Sequence, residues 1–218
     1  MSIPNHDLRV HGDSTATFAP PVVDRGPARS LAVVVSQLAS PPVLAVAVCY
    51  VAAGVHGGTS AYGWATIHMG LMVLLPLGYL FTLLRRGDVS DVDVYRREER
   101  WRPFLATVGG AWLAWVLLWS FGAPENLVGL AGVLALEASV IFLVTLGWKI
   151  SLHCATLALA GAVVWKLTGS PVPLLVGIPL MIWSRLLLRR HTPAQTIAGT
   201  LLGILLVVLF FDLFAGTV

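Results

Sequence analysis

The sequence predicts an all-α, polytopic transmembrane bundle of six or seven helices. Hydrophobic residues make up 57% of the 218-residue chain and charged ones 11%, with a mean hydropathy of +0.83, far too apolar for an ordinary soluble domain. Apolar runs long enough to cross a bilayer occupy residues 31–55, 61–84, 103–122, 126–147, 153–169, 172–188 and 194–215. The polar connections between them are too short for a second domain. Residues 31–218 are therefore expected to form one transmembrane domain.

Residues 1–30 are polar, carry Pro4, Pro20, Pro21 and Pro27, and lack the charged, apolar, small-residue order of a cleaved signal peptide. They are expected to be a flexible tail. In the first apolar run Pro41 and Pro42 interrupt the helix, which predicts an interfacial piece ahead of the span. The second run places His68 within the bilayer. The connection at 85–103 is the most polar part of the chain: Asp88, Asp91 and Asp93 precede Arg96, Arg97, Arg100 and Arg102. A solvated loop with neutralising charges explains it; the three acids also offer the carboxylate oxygens that a divalent cation prefers.

The third run carries Trp112, Trp115 and Trp119 on one helical face. Such a stripe serves packing or lipid contact, and it also suits a wall for an apolar tail or a carbocation. Glu137 lies in the middle of the fourth run, where an ionised acid is costly unless paired, which makes it a site hypothesis with His68 as candidate partner. The fifth and sixth runs are short. Before the fifth, Ser151 is an N-cap that leaves His153 in the first helical turn, with Lys149 just upstream. Lys166 can snorkel and Asp212 is expected to reach the interface. Gly199 and Gly203 give the last run a G-x-x-x-G spacing for close helix packing. Cys49 and Cys154 lie within apolar runs without metal-ligand spacing.

The junction at residues 184–195 joins the last two runs. Thr192 as N-cap, Pro193 at the first helical position and Gln195 three residues after the cap mark a helix start. His191 sits just before it, beside Arg185, Arg189 and Arg190. Unpaired backbone N–H groups, the helix dipole and guanidinium groups together favour an anion with phosphate geometry.

If every run crosses the bilayer, thirteen of the fourteen Lys and Arg residues fall on one face, leaving only Lys166 on the other. That asymmetry places the face in the cytoplasm, and the chain is expected in the plasma membrane. The connection at 85–103, the turn at 148–153 and the junction at 184–195 share this face, so both histidine-bearing helix starts converge there.

These residues resemble a family. Ser184-Arg185, five residues, His191 and a polar residue four positions later are similar to the third signature of the type 2 phosphatidic acid phosphatases, S-R-x5-H-x3-D. Ser151-Leu152-His153 resembles a degenerate form of the second, P-S-G-H, with Ile150 and Leu152 replacing proline and glycine. Arg102-Pro103 with Arg96 or Arg97 approximates the first, K-x6-R-P, at a displaced spacing. The resemblance identifies a divergent member and covers residues 85–205. It implies that His191 attacks phosphorus and that His153 protonates the leaving oxygen and later activates water. Arg102, Arg185, Ser151, Lys149 and Arg96 or Arg97 would hold phosphate oxygens, with no metal needed. The family's aspartate orients the nucleophile; here it is Gln195, which can accept from the imidazole or complete a capping box with Thr192.

The expected function is an integral-membrane phosphatase acting on a lipid or prenyl phosphate or diphosphate at the cytoplasmic face. Membrane lipids surround it, and no nucleic-acid partner is expected. An alternative keeps the frame but ionises a prenyl diphosphate with Mg²⁺ held near Asp88, Asp91 and Asp93, for transfer or cyclisation. A third reading is a non-catalytic lipid-phosphate binder or transporter.

Overall fold

The computed structural model describes residues 26–56, 58–89 and 97–214, and among them every regular element is helical. Helix α1 (Pro27–Leu38) is followed by α2 (Pro41–His56), α3 (Gly58–Met69), α4 (Leu75–Arg86), α5 (Arg97–Ser120), α6 (Glu125–Gly147), α7 (Leu152–Thr168), α8 (Ile178–Leu187) and α9 (Pro193–Phe214). Among the described residues four helical stretches are long and apolar enough to cross a membrane: Gly58–Arg86, Trp101–Ser120, Glu125–Gly147 and Pro193–Phe210. The pair α1 and α2 makes a fifth if counted as one broken span, and two shorter apolar helices complete the bundle.

Proline placement explains the irregularities. Pro41 and Pro42 open α2 after a break at Ala39 and Ser40, and α1 meets α2 at a 50° bend. The first apolar run thus divides where its prolines predict. Pro27 opens α1, so the helix begins four residues inside the segment expected to be tail; proline suits a first turn, whose N–H groups lack helical partners. Residues 1–25 lie outside the described residues. Pro76 cannot donate to the carbonyl one turn back, and a π-helical turn at Gly70–Leu74 precedes it, closed by the Leu75 N–H on the Gly70 carbonyl. A second π turn, Pro173–Gly177, leads into α8 ahead of Pro179.

Helix α7 is the axis of the bundle. Every residue from Cys154 to Val163 is buried, with α2, α6, α8 and α9 packed around it. At 17 residues it is about 25 Å long, less than a hydrocarbon core of about 30 Å. A helix walled in by protein on all sides need not match the lipid thickness. Alanine and glycine let its neighbours approach closely. The seam with α9 is the tightest: a Cβ on Gly199 would meet the Ser151 carbonyl oxygen, and one on Gly203 the Ala155 carbonyl oxygen. Leu118, Leu127, Leu134, Leu159 and Val207 belong to the main apolar core.

Candidate functional site

Two helix starts meet at one end of the α7–α9 seam. The Ser151 N–H donates to the Gln195 carbonyl at 3.2 Å, tying the start of α7 to the first turn of α9. Ser151 is fully buried and caps α7, its Oγ accepting from the Cys154 N–H at 3.4 Å. His153 follows in the first turn. Its neighbours include Arg185, His191 and Arg190, and its ring faces the backbone of Ser36 on α1.

At the start of α9, Gln195 makes both contacts left open by the sequence. Its Oε1 accepts from the Thr192 N–H at 3.1 Å while the Gln195 N–H donates to Thr192 Oγ1 at 3.4 Å, which is a capping box. The same Oε1 lies 3.2 Å from His191 Nδ1. A backbone N–H requires an acceptor, so the bond from Thr192 fixes the oxygen of the amide toward His191. Nδ1 must then be the donor, which leaves the imidazole lone pair on Nε2.

The cations around His191 are held by backbone geometry. Helix α8 ends with the Arg190 N–H on the Arg185 carbonyl and Arg189 in the left-handed region at φ 53°, unusual for a residue with a side chain. Lys149 Nζ donates to the Arg190 carbonyl at 2.8 Å, bridging the turn before α7 to the same junction. Together Lys149, Arg189, Arg190, His191, Thr192 and Gln195 line an open cleft of about 550 Å³. Arg185 is half-buried near the end of α8. One guanidinium nitrogen, Nη1, donates to Ser36 Oγ at 2.7 Å, and its buried Nε has no hydrogen-bond partner among the described residues. A buried donor without a partner costs about 1–3 kcal/mol, a deficit that an oxyanion beside Arg185 would remove.

Other expected residues lie elsewhere. Arg102 is exposed, 3.8 Å from Asp88 and with its guanidinium over the Trp101 ring, and it does not line the basic cleft. Asp91, Asp93 and Arg96 lie outside the described residues, as do the side chains of Arg97, Arg100 and Asp212. Among the described residues no group of three or more acids, histidines or cysteines is arranged to hold a metal ion. The tryptophan stripe packs on itself, Trp112 edge-on to Trp115 and Trp115 stacked on Trp119, and lines neither cavity described here.

Glu137 and His68 do not pair. His68 Nδ1 lies 3.3 Å from Cys49 Sγ, whereas Glu137 Oε2 accepts from Thr156 Oγ1 on α7 at 3.4 Å. Glu137 and Thr156 instead line a second cavity of about 470 Å³, apolar in most of its wall, which reaches His153. Pro41, Pro42, Leu80, Phe104 and Ile141 contribute to that wall. Sequence reasoning missed Ser36 altogether. Its partner is 149 positions away, and an isolated serine in an apolar helix gives no signal for such a contact.

The family model of the PAP2 superfamily matches residues 75–217. Neither a curated protein nor a solved structure matches the chain. The match spans well over half of the chain and takes in α4 to α9, with both histidine-bearing helix starts and the S-R-x5-H junction between α8 and α9. With His153 and His191 gathered at one end of a membrane helix bundle, the chain belongs to the PAP2 superfamily, whose members are membrane phosphatases.

Proposed function

We propose that the protein hydrolyses a lipid or prenyl phosphate or diphosphate at the cytoplasmic face of the plasma membrane, through a phosphohistidine. The observation that carries this reading is Arg185, whose buried Nε is unsatisfied, close to His153 and joined through its carbonyl to Arg190 of the basic cleft that contains His191. His191 Nε2 attacks phosphorus while His153 gives its proton to the leaving oxygen as the P–O bond breaks. A water molecule then surrenders a proton to His153 and attacks phosphorus, breaking the P–N bond and releasing phosphate. Arg185 and the cleft cations stabilise the charge on the equatorial oxygens. No metal enters these steps. The apolar cavity that reaches His153 supports a substrate with a hydrocarbon chain. The cytoplasmic assignment rests on the distribution of lysine and arginine.

Product analysis tests the reading. Detergent-purified protein incubated with farnesyl diphosphate and with a monoacyl glycerol phosphate, each with and without Mg²⁺, should release inorganic phosphate independently of the metal. Pyrophosphate with a hydrocarbon or transferred prenyl product, formed only with Mg²⁺, would instead establish carbocation chemistry. Binding without turnover of either substrate would identify a lipid-phosphate binder.

Two substitutions probe the supporting contacts. Gln195→Asp should raise the rate of phosphate release by about tenfold, because a carboxylate stabilises positive charge on His191 that a neutral amide cannot; tenfold corresponds to about 1.4 kcal/mol. An unchanged rate would assign Gln195 to capping alone. Ser36→Ala removes the acceptor for Arg185 Nη1 at a stability cost of about 1 kcal/mol. Phosphate release should fall about three- to tenfold through the freed guanidinium; a rate within error of the parent would show that α1 does not position Arg185.

A further inference from the structure

Glu137 is a buried polar group on the wall of the cavity that reaches His153. Its side chain is 3% exposed, and its Oε1 has no hydrogen-bond partner among the described residues while Oε2 is held by Thr156. Thr156 follows His153 by three residues on α7, so both share a face of the helix about 4.5 Å apart along its axis. Both also line the cavity, together with Glu137. The carboxyl held by Thr156 therefore lies about one helical turn along α7 from His153. Apart from Thr107, whose hydroxyl donates to the Pro103 carbonyl, the rest of the wall is hydrocarbon, with Ala45, Met72, Leu80, Phe104 and Ile141 in it. A volume of about 470 Å³ falls within the roughly 300–1,000 Å³ of pockets that enclose small ligands.

We infer that this cavity holds the substrate's chain, and that Glu137, oriented by Thr156, accepts a hydrogen bond from a hydroxyl or amide N–H a few bonds from the phosphoester. The inference rests on the reading of His191 and His153 as the reacting pair and narrows its substrate class. Lipid phosphates with a donor in their backbone, such as monoacyl glycerol phosphates, are preferred to prenyl phosphates, which carry none. A plain chain leaves Oε1 buried and unsatisfied, and a site built around a hydrogen bond rejects the analogue that lacks it. The cavity also draws on Pro41, Pro42 and Ala45 of α2, which precede the segment matched by the family model.

The test uses full-length protein carrying His191→Ala, so that ligand binding is read without turnover. Equilibrium binding of radiolabelled 1-oleoylglycerol 3-phosphate should be about tenfold tighter than that of oleyl phosphate, which has the same chain length and no donor. Adding Glu137→Leu should erase the difference by weakening only the hydroxylated ligand, and Glu137→Gln should preserve it. Thr156→Val, nearly isosteric, should reduce the difference should Glu137→Leu fail to fold. Equal binding of the two lipids, or an equal loss of both in Glu137→Leu, would overturn the inference. A tenfold preference in binding, combined with absence of phosphate release by the unsubstituted protein, would support the cavity assignment and overturn the phosphatase reading.

Discussion

Replacing His191 with alanine should lower phosphate release by at least about 10³-fold while leaving the folded fraction close to that of the parent. The size follows from the role: removing a nucleophile removes the covalent route, and what survives is the contribution of binding and oxyanion stabilisation. The retention of fold follows from the local geometry. His191 is half-buried in the junction before α9 rather than in the core, and its Nδ1 contact with Gln195 is additional to the capping box. With the ring removed, Gln195 Oε1 still accepts from the Thr192 N–H, so the helix start keeps its cap. A loss within about 1 kcal/mol is expected. Acid-stable and base-stable phosphorylation can be separated by quenching a turnover reaction: an acid-labile phosphoramidate should be trapped on the parent and be missing from His191→Ala. Full activity in the variant would end the phosphohistidine mechanism.

Gly203→Leu should have a comparable effect on activity by a different route. Helices α7 and α9 touch through their backbones, and a side chain at Gly203 collides with the Ala155 carbonyl and approaches the Leu159 N–H to 2.8 Å. Neither backbone atom can rotate away as a side chain would. Overpacking of this kind typically costs about 1–3 kcal/mol and displaces the helices that remain folded. The displacement matters because the α7–α9 seam sets the distance between the reacting groups: it ends in the bond from the Ser151 N–H to the Gln195 carbonyl, with His153 on one side and His191 on the other. A shift of about 1 Å between reacting groups costs on the order of 10² in rate. Gly203→Leu should therefore show a lowered melting temperature in detergent and at least a hundredfold loss of phosphate release in the folded fraction. Gly109→Leu is the control, because Gly109 is exposed on α5 with no atom within 4 Å of an added Cβ. Parent-like melting and turnover in Gly203→Leu would show that the seam does not set the site.

The contrast between these two residues describes what was legible. His191, Thr192 and Gln195 lie within five positions, and a capping box is written in spacing alone, so the chain reveals it without knowledge of its neighbours. Ser151 as the cap of α7 is equally local. The spacing Ser184-Arg185-x5-His191 reads likewise, because it spans the end of one helix and the start of the next. Partners across the bundle did not read in this way. His68 and Glu137 were matched by depth along two apolar runs, yet each meets a different helix, His68 facing Cys49 on α2 and Glu137 facing Thr156 on α7. Depth fixes a residue's height in a bundle but not the direction in which its helix faces.

The amino-acid sequence by itself determined the class of fold, the positions at which proline breaks the helices and the capped helix starts. Each follows from short-range sterics, from hydrogen bonding within a turn, or from the cost of placing charge in hydrocarbon. Only the tertiary structure decided that Ser36 reaches Arg185, that Arg102 turns to Asp88 and Trp101, and that Glu137 faces the cavity leading to His153. The physical reason is the solvent. In water a helix declares its inner face by an apolar stripe, but α6, α7 and α9 are apolar around most of their circumference, as lipid-embedded helices are. Which faces meet is then settled by where small residues allow backbones to approach, and that becomes visible only when all the helices are packed together.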